Sequence, residues 1–354
     1  MTHPNSVVVT DQLESVLGEV ISKFPEDKLF LVMDENSQRY CLPLLGNVPS
    51  VEKFRHNIIP SGEENKSLSS VEKIWLFLSQ NGADRKSLVV NLGGGMVTDL
   101  GSFAASTFKR GVEFVNIPTT LLSQVDASVG GKTGFNFNGL KNEIGVINQP
   151  LQVIIDTRFL VSIDHENFIS GFAEMIKHGL IHSPDHLDEL RKYDLDKPDY
   201  KELQTLISHS VTIKEYYVEK DPNEKNIRKA LNFGHTVGHA FESYSLKKSF
   251  PLLHGHAVAF GMLAELYLSG LHCGFPDETL HHLSKWISTV YGNFSISVDD
   301  YEALYELMGH DKKNDGKRIN FTLLKSVGEV EINCDCTKEQ TFESLDYFRT
   351  INNA

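Results

Sequence analysis

His235 and His239 are four residues apart, so on a helix they fall about 40° apart on one face. Each follows a glycine, Gly234 and Gly238, and small neighbours leave room for a ligand to approach. His254 comes after a proline-containing loop, just ahead of another helical stretch. Glu174 lies inside Phe172-Ala173-Glu174-Met175-Ile176, where an apolar stripe disfavours a solvated carboxylate. Two imidazoles and one carboxylate form the donor set of an open Zn2+-type site, with a position left for water or substrate. Taken alone, an i,i+4 pair among 15 histidines is ordinary surface or core. Periodicity leaves open which of His235 and His239 takes the metal and which faces substrate. Basic groups gather in the same half: Lys177 one turn beyond Glu174 on its face, then Lys214 and Arg228, with Asn232 ahead of the histidine pair. A divalent cation among such groups suits a polyanion whose hydroxyls it chelates.

A second kind of chemistry lies nearer the N-terminus. Leu88-Val89-Val90 leads into Gly93-Gly94-Gly95 and a helix-like stretch from Met96. Strand, glycine turn and helix direct unpaired N–H groups and a positive dipole end at a phosphate. Glycine lets the backbone approach the anion without a Cβ in the way. The spacing is not GxGxxG, so that fingerprint is not invoked. A further apolar run, Phe114 to Ile117, opens into a loop holding Asp126, Lys132, Lys141 and Asn142. A plain strand-to-helix turn would need none of these charges.

The elements that must position these groups fall into two halves. Short, continuously apolar runs at Leu29–Met33, Leu88–Asn91, Phe114–Ile117 and Val153–Asp156 alternate with helical stretches at Val71–Gln80 and Leu100–Phe108. That alternation predicts a parallel sheet covered on both faces, an α/β Rossmann-like N-terminal domain over 1–158. Helical periodicity then dominates at Ile169–Ile181, Tyr200–Val218, Asn232–Tyr244, Ala257–Leu271 and Leu280–Tyr291, a mainly α-helical domain over 159–354. A hairpin is expected at Ile319–Leu324 and Val330–Asn333, and a capping box from Thr337 and Gln340 before the last helix. Ligands of such folds lie beyond the carboxyl ends of the strands, which places the expected active site in the cleft between the domains.

With 354 residues, 40% hydrophobic and 23% charged, the chain has the composition of a globular protein large enough for two domains. A net charge of −13 argues against nucleic acid or an anionic membrane as partner. The four cysteines show no CxxC spacing, which suits free thiols in a reducing compartment. The first residues lack the layout of a signal peptide, and no apolar stretch reaches the roughly 18 residues of a membrane span. A cytoplasmic location is the expectation.

Together these segments resemble the 3-dehydroquinate synthase family, a branch of the sugar phosphate cyclases. The similarity runs from about Asp34 to Leu324. Its matching stretches are SGEENKS at Ser61–Ser67, GGGMVTD at Gly93–Asp99, KRG at Lys109–Gly111, PTTLLSQVDASVGGKTG at Pro118–Gly134 and KNEIG at Lys141–Gly145. AEMIKHG at Ala173–Gly179, LNFGHTVGHA at Leu231–Ala240 and HGHAVAFGM at His254–Met262 continue the series. Each is short; their order and spacing together are specific.

The resemblance implies NAD as cofactor, contacted by Asp34, Asn36, Glu63, Lys66, Gly94, Gly95, Met96, Val97, Thr98, Asp99, Thr119 and Thr120, with Lys132, Lys141, Phe159 and Ser162 counted beside them. It implies a divalent metal, Zn2+ or Co2+, held by Glu174, His235 and His254. The implied substrate is an anionic sugar phosphate, 3-deoxy-D-arabino-heptulosonate 7-phosphate. Lys132, Asn142, His239 and Lys312 would hold its phosphate, and Arg228, Lys214 and Asn232 its carboxylate. Asp126 and Lys177 would meet ring hydroxyls, Lys141 would join the substrate contacts, and Arg110 would be lent within a homodimer. The implied reaction is transient oxidation, phosphate elimination, reduction, ring opening and intramolecular aldol closure.

Three departures from the family pattern stand out. Thr98 occupies a place where glycine is frequent, and His256 one where glutamate is common. Phe159–Asp164 diverges, with Ser162 in place of a cofactor-contacting threonine. Among alternatives, another sugar phosphate cyclase would not need the carboxylate set Lys214, Arg228 and Asn232. A metal- and NAD-dependent polyol dehydrogenase would leave Lys132, Arg110 and Lys312 unexplained. A catalytically inert binding protein would be free to lose the metal ligands or Asp126, and all are present.

Overall fold

The computed structural model describes residues 7–138, 140–248, 250–309 and 319–352. They form two compact units, one from the residues up to Asp164 with Pro198–Val211, the other from His165–Lys197 with Thr212 onward.

The first unit is built in the order β1 (Val7–Val9), α1 (Leu13–Ile21), β2 (Leu29–Asp34), α2 (Glu35–Tyr40), β3 (Arg55–Ile59) and α3 (Leu68–Gln80). It continues with β4 (Leu88–Gly93), α4 (Gly95–Thr107), β5 (Glu113–Pro118), β6 (Lys132–Phe137), β7 (Leu140–Ile147) and β8 (Gln152–Ile155). Six strands make one parallel sheet in the order β1-β8-β5-β4-β2-β3. Successive side chains of a strand point to opposite faces, so an unbroken apolar run must be covered twice. In β2, Leu29, Leu31 and Met33 pack with Leu13 and Leu17 of α1, while Phe30 and Val32 pack with Ile74 of α3 and Leu100 of α4. One polar pair breaks the pattern. Asn91 of β4 and Asn116 of β5 are register partners, joined by a 2.9 Å bond and shared with Ser102 of α4. A Cβ on Gly101 would lie 1.9 Å from the Asn91 side-chain oxygen, so glycine keeps room for this amide.

The segment expected as a loop after β5 is more ordered than its composition suggests. A single π turn spans Ser123–Ala127, and β6 and β7 then pair as an antiparallel hairpin. Gly134 and Gly145 face each other across it, where a Cβ would meet backbone oxygen at 2.3 Å and 2.1 Å.

In the second unit follow α5 (His165–His182), α6 (Pro184–Lys192), α8 (His235–Lys247), α9 (His254–Cys273), α10 (Asp277–Tyr291) and α11 (Tyr301–Gly309). The hairpin of β9 (Asn320–Ser326) and β10 (Glu329–Asp335) and the helix α12 (Lys338–Asn352) complete it. Between α6 and α8 runs α7 (Tyr200–Lys220), which contributes residues to both units. The expected capping box is present: Thr337 N–H donates to Gln340 Oε1 at 2.9 Å, and Gln340 N–H to Thr337 Oγ1 at 3.2 Å. Among the described residues no helix is long and apolar enough to cross a membrane.

Glycines let α5, α8 and α9 approach backbone to backbone. A Cβ on Gly255 of α9 would lie 1.7 Å from the Ser170 carbonyl of α5. One on Gly261 would lie 2.0 Å from the Gly234 carbonyl, at the start of α8. Further along α9, Gly270 meets nothing closer than 3.9 Å. Two alanine substitutions in one helix should therefore have opposite signs. Gly270→Ala is expected to raise stability by about 0.5–1 kcal/mol through helix propensity. Gly261→Ala is expected to cost about 1–3 kcal/mol or more by overpacking. Urea unfolding of the two variants checks both, and equal effects would contradict the packing described.

Candidate active site

Three helices of the second unit deliver the metal-type donors. Glu174 lies in α5 with 0% exposure, His235 is the first residue of α8, and His254 is the first residue of α9 rather than a loop residue ahead of it. The Nε2 atoms of His235 and His254 each stand 3.5 Å from the same oxygen, Glu174 Oε1. Donors about 2.1 Å from a common ion at a tetrahedral angle stand roughly 3.4 Å apart, so the spacing fits a divalent cation. All three donor atoms lie within 4.8 Å of one another. The second Glu174 oxygen accepts from Lys177, whose side chain is 1% exposed.

The far side of each imidazole is also held. His235 Nδ1 faces the Phe233 carbonyl at 3.1 Å, and His254 Nδ1 faces Glu242 Oε2 at 3.5 Å. A proton on Nδ1 shared with an oxygen leaves Nε2 as the lone-pair donor, the usual orientation of a metal-ligating histidine. Burial works against a charged His254, but the Glu174 and Glu242 carboxylates outweigh it and raise its pKa to about 10. The carboxylates thus demand positive charge at this place. Burial first, and then Glu174, push the Tyr291 hydroxyl well above its ordinary range, and that neutral hydroxyl donates to the Ile169 carbonyl at 3.0 Å.

His239 completes a triangle of rings, its centroid 5.2 Å from that of His235 and 5.9 Å from that of His254. A second donor set, His239, Glu242 and His254, also lies within 4.8 Å and shares His254. The set on Glu174 is favoured, because Glu242 serves the Nδ1 side of His254. His256 turns away, its ring 5.4 Å from that of Tyr291. Burial lowers its pKa, with Glu166 opposing. Arg228 and Asn232 lie on a 3-10 turn, Ile227–Asn232, ahead of α8. The turn is fixed by Asp221, which accepts the N–H groups of Lys225, Asn226 and Arg228. Arg228 Nη1 donates to the Pro222 carbonyl at 2.9 Å and Asn232 Nδ2 to Glu224 Oε1 at 2.9 Å. Lys214 is buried on α7.

In the first unit β3 and β4 lie on opposite sides of β2, so the order of the chain reverses between β2 and β4. Open α/β sheets bind ligands beyond the carboxyl ends of strands at such a reversal. Asp34 ends β2 there, Gly93 ends β4 with Gly94 and Gly95 directly after it, and Thr119 and Thr120 follow β5. The glycine turn fits a phosphate cradle: Gly94 caps α4 without a side chain, and a Cβ there would press on Thr120 at 3.1 Å. Thr98 keeps the helix start intact by donating its hydroxyl to the Gly95 carbonyl at 3.1 Å. Lys66, 5% exposed, bonds both Asp99 and Asn142. Burial pulls the Lys66 ammonium towards neutrality, and Asp99 and Glu63 outweigh it, so its pKa is raised. Burial also pushes Asp99 up, with Lys66 opposing and Glu63 and Asp126 adding.

A family model described as 3-dehydroquinate synthase N-terminal matches residues 56–170, and one described as 3-dehydroquinate synthase C-terminal matches residues 171–314. A 3-dehydroquinate synthase from Parabacteroides distasonis is 52% identical over 343 residues, 97% of each chain. The chain belongs to the 3-dehydroquinate synthase family. Its fold is shared with a 2-epi-5-epi-valiolone synthase from Streptomyces hygroscopicus subsp. jinggangensis, solved with NAD+ and Zn2+ bound. That likeness has TM-score 0.88 and 22% identity, over 99% of this chain and 98% of that one. A 2-deoxy-scyllo-inosose synthase, solved with carbaglucose-6-phosphate, NAD+ and Co2+, has TM-score 0.80 and 24% identity over 96% and 95% of the two chains.

The other residues expected from this family resemblance are placed as follows. Asp34 caps α2, accepting the Ser37 N–H at 2.7 Å, and Asn36 is exposed on that helix. Glu63 accepts from Asn136 at 2.9 Å. Met96 is half-buried, while the Val97 side chain and the Phe159 ring belong to the two hydrophobic clusters of the sheet. Ser162 is exposed and bonds the Phe159 carbonyl at 3.5 Å. Asp126 is half-buried in the π turn, Lys132 opens β6, and Lys141 and Asn142 lie exposed on β7. Arg110 is exposed, with φ 68°. Lys312 lies outside the described residues. Glu242 is a further residue of the site that no motif marks, although His235, His239 and Glu242 fall at i, i+4 and i+7, one stripe of α8.

The Lys66–Asp99 pair gives a signed pH test. Asp99→Asn leaves a buried ammonium without its main partner, which typically costs about 3–5 kcal/mol. Lys66 then holds its proton less tightly folded than unfolded, so this loss should shrink as pH rises from 7 towards 10. Urea midpoints of wild type and variant should converge over that interval. A constant gap would remove Lys66 as the cause.

Proposed function

We infer that the chain has 3-dehydroquinate synthase activity, converting 3-deoxy-D-arabino-heptulosonate 7-phosphate to 3-dehydroquinate and phosphate. What carries this is that Glu174, His235 and His254 converge in a chain 52% identical, along 97% of its length, to a protein of that name. The related solved structures that hold NAD+ with Zn2+ or Co2+ support giving this chain both groups. When bound, the nicotinamide accepts and returns a hydride, and the cation polarises a substrate hydroxyl.

The roles of the chain's own residues follow from their chemistry. Glu174, His235 and His254 hold the cation. Lys177 shares its ammonium between Glu174 and a ring hydroxyl, and Asp126 accepts from another hydroxyl. Arg228 offers a planar fork to the carboxylate, with Lys214 and Asn232 beside it. Lys132, Asn142, His239 and Lys312 receive the phosphate, with Lys141 adjoining. Asp34, Asn36, Glu63, Lys66, the turn from Gly94 to Asp99, Thr119, Thr120, Phe159 and Ser162 make up the cofactor site. On this reading residues 1–158 carry most of the cofactor site, with Phe159 and Ser162 just beyond, residues 159–354 carry the metal ligands, and the substrate draws on both.

The active form is a homodimer in the cytoplasm. Phe137, Leu140, Ile144, Val146 and Ile147 are exposed apolar side chains of the β6–β7 hairpin, which a second copy would cover, and Arg110 is exposed in the same unit. Four free thiols accord with a reducing compartment.

The test is phosphate release from the heptulosonate phosphate with catalytic NAD+, with and without a chelator. Release without net NADH, abolished by chelation, is the expected result; stoichiometric NADH would mean a plain dehydrogenase. His235→Ala should lose metal and activity together. Arg228→Ala should keep the metal while KM rises about 10-fold or more, as for a lost charge-assisted pair. An unchanged KM would remove Arg228 from the carboxylate site.

A further inference from the structure

Glu265 lies on α9 beyond His254, with 0% exposure, and belongs to none of the motifs that mark the family resemblance. Its Oε2 accepts the Gly234 N–H at 2.6 Å and its Oε1 the Val237 N–H at 3.0 Å. These N–H groups belong to the N-cap and first turn of α8 and flank His235. A helix start needs acceptors for such groups, and the N-cap side chain ordinarily supplies one. Gly234, at φ 79°, has no side chain to give, and a Cβ there would lie 2.5 Å from Met262. The cap therefore comes from another helix, as a carboxylate at the positive end of the α8 dipole.

The peptide joining Phe233 to Gly234 links this cap to the metal-type donors. Its N–H donates to Glu265, and its carbonyl faces His235 Nδ1 at 3.1 Å. Hydrogen bonds in series polarise one another, so an anion on the N–H side strengthens the carbonyl as an acceptor. A stronger acceptor on Nδ1 fixes the ring and makes Nε2 a better electron-pair donor. We propose that Glu265 is a positioning residue for His235, acting through the 233–234 peptide to aim and strengthen its Nε2 toward a divalent cation. This rests on the metal assignment given above for Glu174, His235 and His254.

The experiment is Zn2+ affinity of the purified protein, by competition with a chromogenic chelator at fixed pH, for wild type, Glu265→Gln, Leu345→Ala and His235→Ala. Glu265→Gln keeps the volume and removes the charge, so the core stays filled. Leu345→Ala opens a cavity in α12, which supplies none of the metal donors, at a typical cost of about 2–5 kcal/mol. Glu265→Gln is expected to weaken Zn2+ binding about tenfold or more, as outer-shell changes do, with the circular dichroism of the fold retained. Leu345→Ala is expected to lower Tm and stay within about twofold of wild-type affinity, since it removes none of the three donors. Wild-type affinity in Glu265→Gln, with His235→Ala stripped of metal, would overturn the relay and leave the metal site standing. So would an equal loss in Leu345→Ala, which would make the effect one of general stability. Unchanged affinity in His235→Ala would overturn the metal assignment itself.

Discussion

A carboxylate with no exposure at all, Glu174, sets the terms for the second unit. Moving an ion of that size out of water costs several kcal/mol even after the protein relaxes, and only close, well-directed partners offset it. Lys177 supplies one such partner from the same helix, while His235 and His254 supply two more from the starts of neighbouring helices. The imidazoles stand at a spacing long for a hydrogen bond and natural for two ligands of one ion. A buried anion among donors of that spacing calls for a divalent cation, and the chemistry inferred for the family depends on one being there.

That convergence requires helices to pack more closely than side chains usually permit. Gly255 against Ser170 and Gly261 against Gly234 remove the Cβ atoms that would hold α5, α8 and α9 apart. One of these glycines, Gly234, also leaves α8 without an N-cap side chain, and Glu265 meets that need from α9. Close packing, helix capping and histidine orientation are thus one solution to one constraint. In the first unit Gly94 plays a parallel part, capping α4 with no side chain, as the proposed phosphate site would require.

Much of this was legible in the chain because the signals were local. The apolar runs of β2, β4, β5 and β8, the helical stripes and the Thr337–Gln340 box each lie within a few residues of sequence. The histidine pair and Glu174 announced a metal by residue type, and the family motifs chose between His235 and His239. The β6–β7 hairpin was hidden because Gly134 and Gly145 interrupt the alternation and β7 is exposed throughout. Edge strand β3 was missed because Arg55, His56 and Asn57 carry no apolar pattern. Glu265 and Ser170 act across distance along the chain, and no window of sequence contains both partners.

The most direct measurement is anomalous diffraction at the zinc edge from crystals grown with Zn2+. The account predicts one strong peak bonded to Glu174 and to Nε2 of both His235 and His254, with Nδ1 of each still facing oxygen. A peak elsewhere, or none beside Glu174 at saturating zinc, would contradict it.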